Sequence, residues 1–234
     1  NFLQWVEHQQ PLEVLEMLAF MYGCFDALAL HYKIERIQMH GDSYVAMSGV
    51  ENPNDPEVSA RDTVKLAWDM RECVLAMGSL TKNWNFAPRF GVHTGPTLSA
   101  IVGRLRCSYD LFGFTSTVGS VMCNTSPPGE LHITYVTYEL VRDTFDCSYL
   151  QMSQISQYSS EVASYLVDRP LVAEPLPALP EPYARLVTAP VNVRSQPSRA
   201  MPMPMPPSPG LFHQAPSNHS TRDYTDGSSQ SSLS

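Results

Sequence analysis

The chain has 234 residues, of which 43% are apolar, and its formal net charge is -8 at pH 7. This length suits one sizeable hydrophobic core with some additional chain, and the acidic charge excludes a protein that binds nucleic acid through a basic surface. The 5 cysteines show no CxxC or CxxH spacing, which excludes a zinc or dithiol redox site and favours reduced thiols.

The first part of the chain predicts two helices separated by a β-hairpin. A helix is predicted from 11 to about 32, with a buried stripe at Leu12, Leu15, Ala19, Tyr22 and Phe25. Residues 34–49 predict two strands around a turn, which would present Asp42 at the hairpin tip. A second helix is predicted over 58–80, with a buried face at Val64, Ala67, Trp68, Val74 and Leu75.

The second part predicts short strands with two further helices between them. The predicted strands are 89–93, 98–102, 109–112 and 131–134, with weaker ones at 148–153 and 162–168. The predicted helices are 115–123 and 136–142. This order of elements, with short connections, favours an α+β sandwich in which helices cover one face of an antiparallel-rich sheet.

The composition changes near residue 169. Thirteen of the 20 prolines fall within 170–234, including an alternating Met-Pro run at 201–207, and a serine-rich end follows. Such a sequence buries too little apolar surface to offset chain entropy, so we expect 1–168 to form the domain and 169–234 a mostly disordered tail.

The sequence also bears on membrane contact. No apolar run approaches the roughly 20 residues of a membrane-spanning helix, and the N-terminus lacks a signal pattern. We therefore expect a cytoplasmic segment without membrane contact of its own. A membrane anchor in another part of a longer parent protein is compatible with this expectation.

Four motifs in the predicted domain follow one another in a distinctive order. They are RIQMHGDSY at 36–44 with SG at 48–49, GVHTGP at 91–96, YDLFG at 109–113 and PGELHIT at 128–134. Each is weak alone, because Gly-Asp is a common hairpin turn. Together they resemble the class III adenylate and guanylate cyclases over roughly residues 1–168. The resemblance implies a ferredoxin-like nucleotide cyclase sandwich that works as a head-to-tail pair, with active sites at the interface.

The resemblance implies a role for Asp42 in holding metal. The family uses two magnesium or manganese ions while a ribose hydroxyl attacks the α-phosphate of ATP or GTP. Phe2 matches the phenylalanine of the family's opening D-(I/V)-x-G-F-T motif, which places the second carboxylate four residues before Phe2. Leu3 stands where that motif has threonine, and Phe2, Leu3 and Gly41 would form the phosphate cradle.

Two further positions correspond to the purine selectors of the family. The first carries lysine in adenylate cyclases and glutamate in guanylate cyclases, and here it is Gln38. The second carries aspartate or cysteine, and here it is Asp110. Asp110 favours ATP over GTP, whereas Gln38 fits neither rule, so the purine stays open.

Three side chains that stabilise the transition state in the family are replaced. Thr117 and Val121 stand for its asparagine and arginine, and Ser159 stands for its late lysine. The first catalytic domain of two-domain adenylate cyclases shows a similar pattern, holding the metals while a second domain supplies the rest. Pro96 departs from that pattern, because those first domains carry a phosphate-contacting arginine there.

Three functions therefore remain open. The first is half of a phosphorus-oxygen lyase in intracellular signalling, inactive alone, which forms a 3',5'-cyclic nucleotide and pyrophosphate with a complementary partner domain. The second is a catalytically inactive pseudocyclase that acts as a regulatory dimerisation partner, which Leu3 and Pro96 favour. The third is an adaptor that works through the proline-rich tail. His93 and His132 lie in or beside predicted strands and are interpreted as structural.

Overall fold

A computed structural model describes residues 2–50, 55–80 and 87–184. The helices are α1 (Phe2–Val6), α2 (Pro11–His31), α3 (Pro56–Leu80), α4 (Phe114–Thr125) and α5 (Tyr135–Val141). The strands are β1 (Glu35–His40), β2 (Ser43–Met47), β3 (Phe90–Val92), β4 (Leu98–Val102), β5 (Ser108–Phe112), β6 (Leu131–Thr134), β7 (Phe145–Ile155) and β8 (Ser160–Pro170). The predicted elements are confirmed, and the two weak strands at the end prove to be long.

The sheet is divided into three parts. Four strands form the central part in the order β3-β6-β8-β7, in which β3 runs parallel to β6 and the other neighbours are antiparallel. The hairpins β1-β2 and β4-β5 are separate antiparallel pairs. The fold is thus the expected α+β arrangement of an antiparallel-rich sheet with helices packed on it.

Strand β6 is buried along its whole length because helices lie on both of its sides. Leu131 and Ile133 join the main core, on the side where α3 and α5 contact β6. His132 points the other way, since successive side chains of a strand alternate, and its Nδ1 atom lies 3.0 Å from the Met122 carbonyl oxygen of α4. In addition to the predicted layer, α4 therefore covers the opposite side of β6.

The buried face of α2 differs from the predicted stripe. Leu12 and Leu15 are 66% and 63% exposed, and Ala19 is also exposed, so their assignment to the core is wrong. The buried residues of this helix are Val14, Met21, Tyr22, Cys24, Phe25, Leu28 and Ala29. Apart from Val14, full burial begins at Met21, because only the later turns of the helix reach the body of the domain.

Helix α2 also corrects the expectation about membrane spans. Among the described residues it is the one helix whose length and hydropathy would suit a membrane crossing, and 39% of its most apolar window is buried inside the protein. The second half of the helix packs against α3 and the hairpin and is part of the core, whereas Leu12 and Leu15 in its first half are exposed.

The face of α3 is close to the prediction. Val64, Ala67 and Val74 are buried as expected. Leu75 is 44% exposed, which corrects its assignment to the core, and Trp68 is half-buried with the Arg71 guanidinium carbon 5.0 Å from its ring centre. The polar partner lets the indole lie at the boundary of the core.

The chain continues against the domain beyond its last strand. The boundary expected after residue 168 falls inside β8, which ends at Pro170. Residues 171–184, called the strap below, then place Leu179 in the core and pack Leu176 and Tyr183 against it. The remainder of the predicted tail, residues 185–234, lies outside the described residues.

Candidate functional site

The predicted hairpin presents Asp42 as expected. β1 ends at His40 and β2 begins at Ser43, so Gly41 and Asp42 form the turn between them. Gly41 has a φ of +59°, a left-handed conformation that glycine adopts without steric cost. Asp42 is exposed, so its carboxylate is accessible to a ligand.

The turn is held from below by α2. The Tyr22 hydroxyl donates a hydrogen bond to the Gly41 carbonyl oxygen at 3.0 Å, and the Tyr22 ring stacks on Tyr44 with centroids 5.9 Å apart. Burial, followed by the nearby charge of Asp42, raises the pKa of Tyr22 to about 12, so its hydroxyl remains a donor at neutral pH. Helical spacing predicted Tyr22 only as a core residue, and no sequence signal indicated this contact.

A second residue of α2 ties down both strands of the hairpin. Asp26 accepts a hydrogen bond from the Tyr44 hydroxyl at 2.9 Å, and its other oxygen lies 2.7 Å from the Arg36 guanidinium. One carboxylate therefore joins β1 and β2 to the helix. The hairpin that carries Asp42 has two polar anchors on α2, Tyr22 at its turn and Asp26 along its strands.

The two purine-position residues lie side by side. The Gln38 Nε2 atom of β1 donates to the Asp110 Oδ1 atom of β5 at 3.3 Å, across 72 positions of sequence. The same oxygen accepts the Leu111 backbone N–H at 2.7 Å. The fold brings these positions together, and one oxygen of Asp110 is already engaged.

Helix α4 carries the positions of the replaced asparagine and arginine. The Thr117 hydroxyl donates to the Gly113 carbonyl oxygen of its own helix at 3.1 Å. Val121 packs against a small apolar cluster formed by Val118, Met122 and Ile155. Neither side chain offers a charge or a free donor toward a phosphate.

The last two replaced positions are also uncharged and exposed. Ser159 lies in the turn between β7 and β8 with a φ of +48°. Pro96 follows the GVHTG turn, and its carbonyl oxygen accepts the Thr115 hydroxyl at 2.6 Å. The Thr115 contact joins this turn to the first part of α4.

His93 and His132, which the sequence indicated as structural, have structural contacts. His93 Nδ1 lies 2.8 Å from the Thr134 hydroxyl, and burial lowers the pKa of His93 to about 4. His132 is fully buried, and burial also lowers its pKa. Both imidazoles are therefore neutral at pH 7.

Asp42 is the predicted metal ligand, and the described residues do not form a complete metal site with it. Within 2–50, 55–80 and 87–184, no three His, Cys, Asp or Glu side chains form a group that could hold a metal ion. Magnesium, however, is commonly bound by one or two carboxylates together with substrate phosphates. The exposed carboxylate of Asp42 suits such a shared site. Phe2 and Leu3, the predicted cradle residues, lie in the short helix α1.

This combination of fold and motifs defines a nucleotide cyclase domain, and comparisons with known proteins agree. The family model of the adenylate and guanylate cyclase catalytic domain matches residues 1–168. The chain belongs to this family. An adenylate cyclase of Mycobacterium tuberculosis is 27% identical over 176 residues, which are 75% of this chain and 39% of that protein. The chain thus spans well under half the length of this relative.

Solved structures share the fold. The adenylyl cyclase CyaB of P. aeruginosa has a TM-score of 0.65 and 21% identity, covering 74% of this chain and 89% of that chain. The guanylate cyclase domain of RhGC from Catenaria anguillulae, in complex with GTP, has a TM-score of 0.62 and 22% identity, covering 73% and 91%. At these identities the likeness establishes the fold.

Proposed function

We propose that this domain is the metal-holding half of a nucleotide cyclase pair. It would convert a nucleoside triphosphate, ATP in preference to GTP, to a 3',5'-cyclic nucleotide and pyrophosphate, and it would be inactive alone. The observation that carries the proposal is a contrast within the domain. Asp42 is exposed on a doubly anchored turn, whereas Thr117, Val121 and Ser159 are uncharged at the positions where the family has its stabilising side chains.

The proposed metal role belongs to Asp42. Its carboxylate would bind magnesium or manganese, and two such ions would stabilise the negative charge that builds on the triphosphate. Tyr22 and Asp26 hold the hairpin, so that the carboxylate is oriented before nucleotide arrives. We place the second carboxylate upstream of Phe2, and Phe2 and Leu3 near the phosphates.

The missing charges require a partner, and the domain has an exposed surface suited to one. The hairpin β4-β5 exposes several large apolar side chains, namely Leu98, Ile101, Val102, Leu105, Tyr109 and Phe112. An exposed apolar surface of this kind is typical of a protein interaction site. We propose that a second cyclase domain covers it and supplies the asparagine, arginine and lysine that this chain lacks.

The purine preference rests on Asp110. An aspartate at this position is adenylate-like in the family, and the contact with Gln38 keeps it in place. In a metal-holding half, these two residues would line the second, degenerate pocket of the pair. The productive purine pocket would then belong to the partner, so the preference for ATP that Asp110 suggests would also need an adenylate-like pocket in the partner.

A second candidate is a pseudocyclase that regulates an active partner without holding metal. Leu3 and Pro96 favour it, since each departs from a phosphate-contacting position of the family. It would use the same apolar hairpin for dimerisation. The two candidates differ in whether Asp42 matters for the activity of the complex.

One experiment separates them. The domain, expressed with the upstream residues expected to carry the first carboxylate, is mixed with a second-half cyclase domain that has the three stabilisers. Cyclic nucleotide formation from ATP and from GTP is measured with magnesium for the mixture and for each protein alone. We expect activity only in the mixture and a loss of roughly a thousandfold with Asp42→Ala. If the domains associate but the mixture is silent, or Asp42→Ala has no effect, the pseudocyclase is the better description.

A further inference from the structure

The strap, residues 171–184, lies against the two long helices of the domain. It begins where the Leu171 N–H donates to the Thr144 carbonyl oxygen at 2.8 Å, next to the end of β8. Leu179 is buried in the main core, and Leu176 packs against the same core. The sequence predicted a disordered tail here because prolines dominate its composition, although proline does not prevent the leucines between them from being buried.

The strongest local fit is between Tyr183 and α2. The Tyr183 ring lies 5.2 Å from the Phe20 ring, and a short turn from Pro180 holds it in place. A Cβ atom at Gly23 would overlap the Tyr183 hydroxyl and would lie 2.5 Å from its Cζ atom. Gly23 therefore forms a notch in the helix that receives the tyrosine ring.

The strap also contacts α3 through an ion pair. Both carboxylate oxygens of Glu174 lie 3.0 Å from the Lys65 Nζ atom. The Glu174 side chain is 60% exposed, so solvent screens this pair and it contributes little to docking. The apolar contacts of Leu179 and Tyr183 therefore hold the strap in place.

The notch is adjacent to the residue that anchors the Asp42 turn. Tyr22 precedes Gly23, and its hydroxyl holds the Gly41 carbonyl at 3.0 Å. A hydrogen bond of this length weakens with small changes in donor position, so a modest rotation or shift of α2 would loosen the turn. The strap packs on one side of α2 and the hairpin on another, which makes the helix a rigid connection between them.

We infer that the strap positions the Asp42 turn through α2, and that its release from the Gly23 notch is a point of regulation. Its consequence for catalysis rests on the proposed function. The coupling itself, between the strap and the Asp42 turn, does not. Docked, the strap holds Tyr22 where it supports the turn. Released, it leaves the turn less well ordered, and a metal ion then binds Asp42 less tightly.

Hydrogen exchange on the intact chain tests the coupling without any catalysis. Tyr183→Ala removes the ring, and Gly23→Ala fills the notch while favouring the helix itself. We expect either change to accelerate amide exchange in Glu35–Met47 by roughly fivefold, with β7 and β8 unchanged, because the loss is local. The double variant should resemble Tyr183→Ala alone, since the added methyl then meets no ring.

Two controls make the result decisive. Gly119→Ala adds the same methyl to α4, where no atom lies within 4 Å, and should leave hairpin exchange unchanged. Tyr183→Phe keeps the ring and should retain most of the protection. Unchanged hairpin exchange in Tyr183→Ala, or equal acceleration in every strand, would overturn the inference, since the latter indicates only a loss of global stability.

The catalytic consequence is measured separately. In the active mixture described above, Gly23→Ala should raise the magnesium concentration for half-maximal rate by roughly threefold, with a smaller change in the maximal rate. A fall in maximal rate alone would contradict positioning of the metal ligand. If even the unmodified mixture is silent, the proposed function fails, while the exchange experiment still decides whether strap and turn are coupled.

Discussion

The hairpin with Asp42 and the helix α4 are both made of family motifs, yet they differ in what they offer a nucleotide. The hairpin keeps an exposed carboxylate and fastens it with Tyr22 and Asp26. In α4 the corresponding positions have become Thr117, bonded to its own helix, and Val121, packed in an apolar cluster. If two domains share the catalytic work, one domain can keep its metal ligand and lose its stabilising side chains. The support of Asp42 and the apolar packing of Val121 agree with such a division.

The first way to test this comparison is to disturb the packing of α4. Gly91→Ala places a methyl group against α4, within 2.6 Å of the Cys123 Cα atom. Backbone atoms cannot move aside as a flexible side chain can, so we expect a loss of roughly 3 kcal/mol in the free energy of unfolding. Urea denaturation measures the loss, with Gly119→Ala as the matched control that meets no neighbour. Equal stability of the two variants would show that α4 is not closely held against β3.

Acidic pH should weaken the same side of the domain. Burial lowers the pKa of His93 from 6.5 to about 4, so between these values the unfolded chain binds a proton that the native protein does not. Stability due to this group is therefore lost as the pH falls from 6.5 toward 4. Asp69 acts in the opposite sense, because burial raises its pKa to about 6. The contribution of His93 is therefore measured by comparing the free energy of unfolding of the wild type and His93→Gln between pH 4 and 7. We expect the stability of His93→Gln to fall less steeply as the pH is lowered. Parallel curves for the two proteins would contradict the assignment.

A smaller effect is expected on the hairpin side. Tyr22→Phe removes the hydroxyl that holds Gly41 but keeps the ring packed against Phe25 and Tyr44. We expect a loss of about 1 kcal/mol in the free energy of unfolding, together with faster exchange of the turn amides. Chemical denaturation and exchange mass spectrometry check both. A variant with normal exchange at the turn would show that the hydrogen bond does not order Asp42.

The smallest effect is expected at Ser159. In the active mixture, Ser159→Ala should keep the rate within about twofold of the unmodified domain, because an uncharged hydroxyl in an exposed turn adds little to phosphate charge stabilisation. The assay is cyclic nucleotide formation at saturating substrate. A loss of two orders of magnitude would instead give this domain a share in transition-state stabilisation.

Particular residues show which features of the fold and the site can be predicted from the sequence. The hairpin around Asp42 was predictable because a Gly-Asp turn between two short strands is a local signal, and the family motifs assigned Gln38 and Asp110 to the purine positions. The burial of α2 was misjudged at Leu12 and Leu15, because periodicity gives the direction of a face but not how far along the helix the core extends. The Tyr22 hydrogen bond and the docking of Leu179 depend on contacts between distant segments. Composition and residue spacing do not predict such contacts.

The exposed apolar side chains of the hairpin β4-β5 affect the solubility of this domain. Leu105 at its tip is fully exposed, and Ile101 is 71% exposed beside it. A copy without a partner would keep this surface in water, where exposed apolar strands pair with other chains and aggregate. If a partner domain covers this surface as proposed, the two would need to be made in matched amounts, because an excess copy would be prone to aggregate.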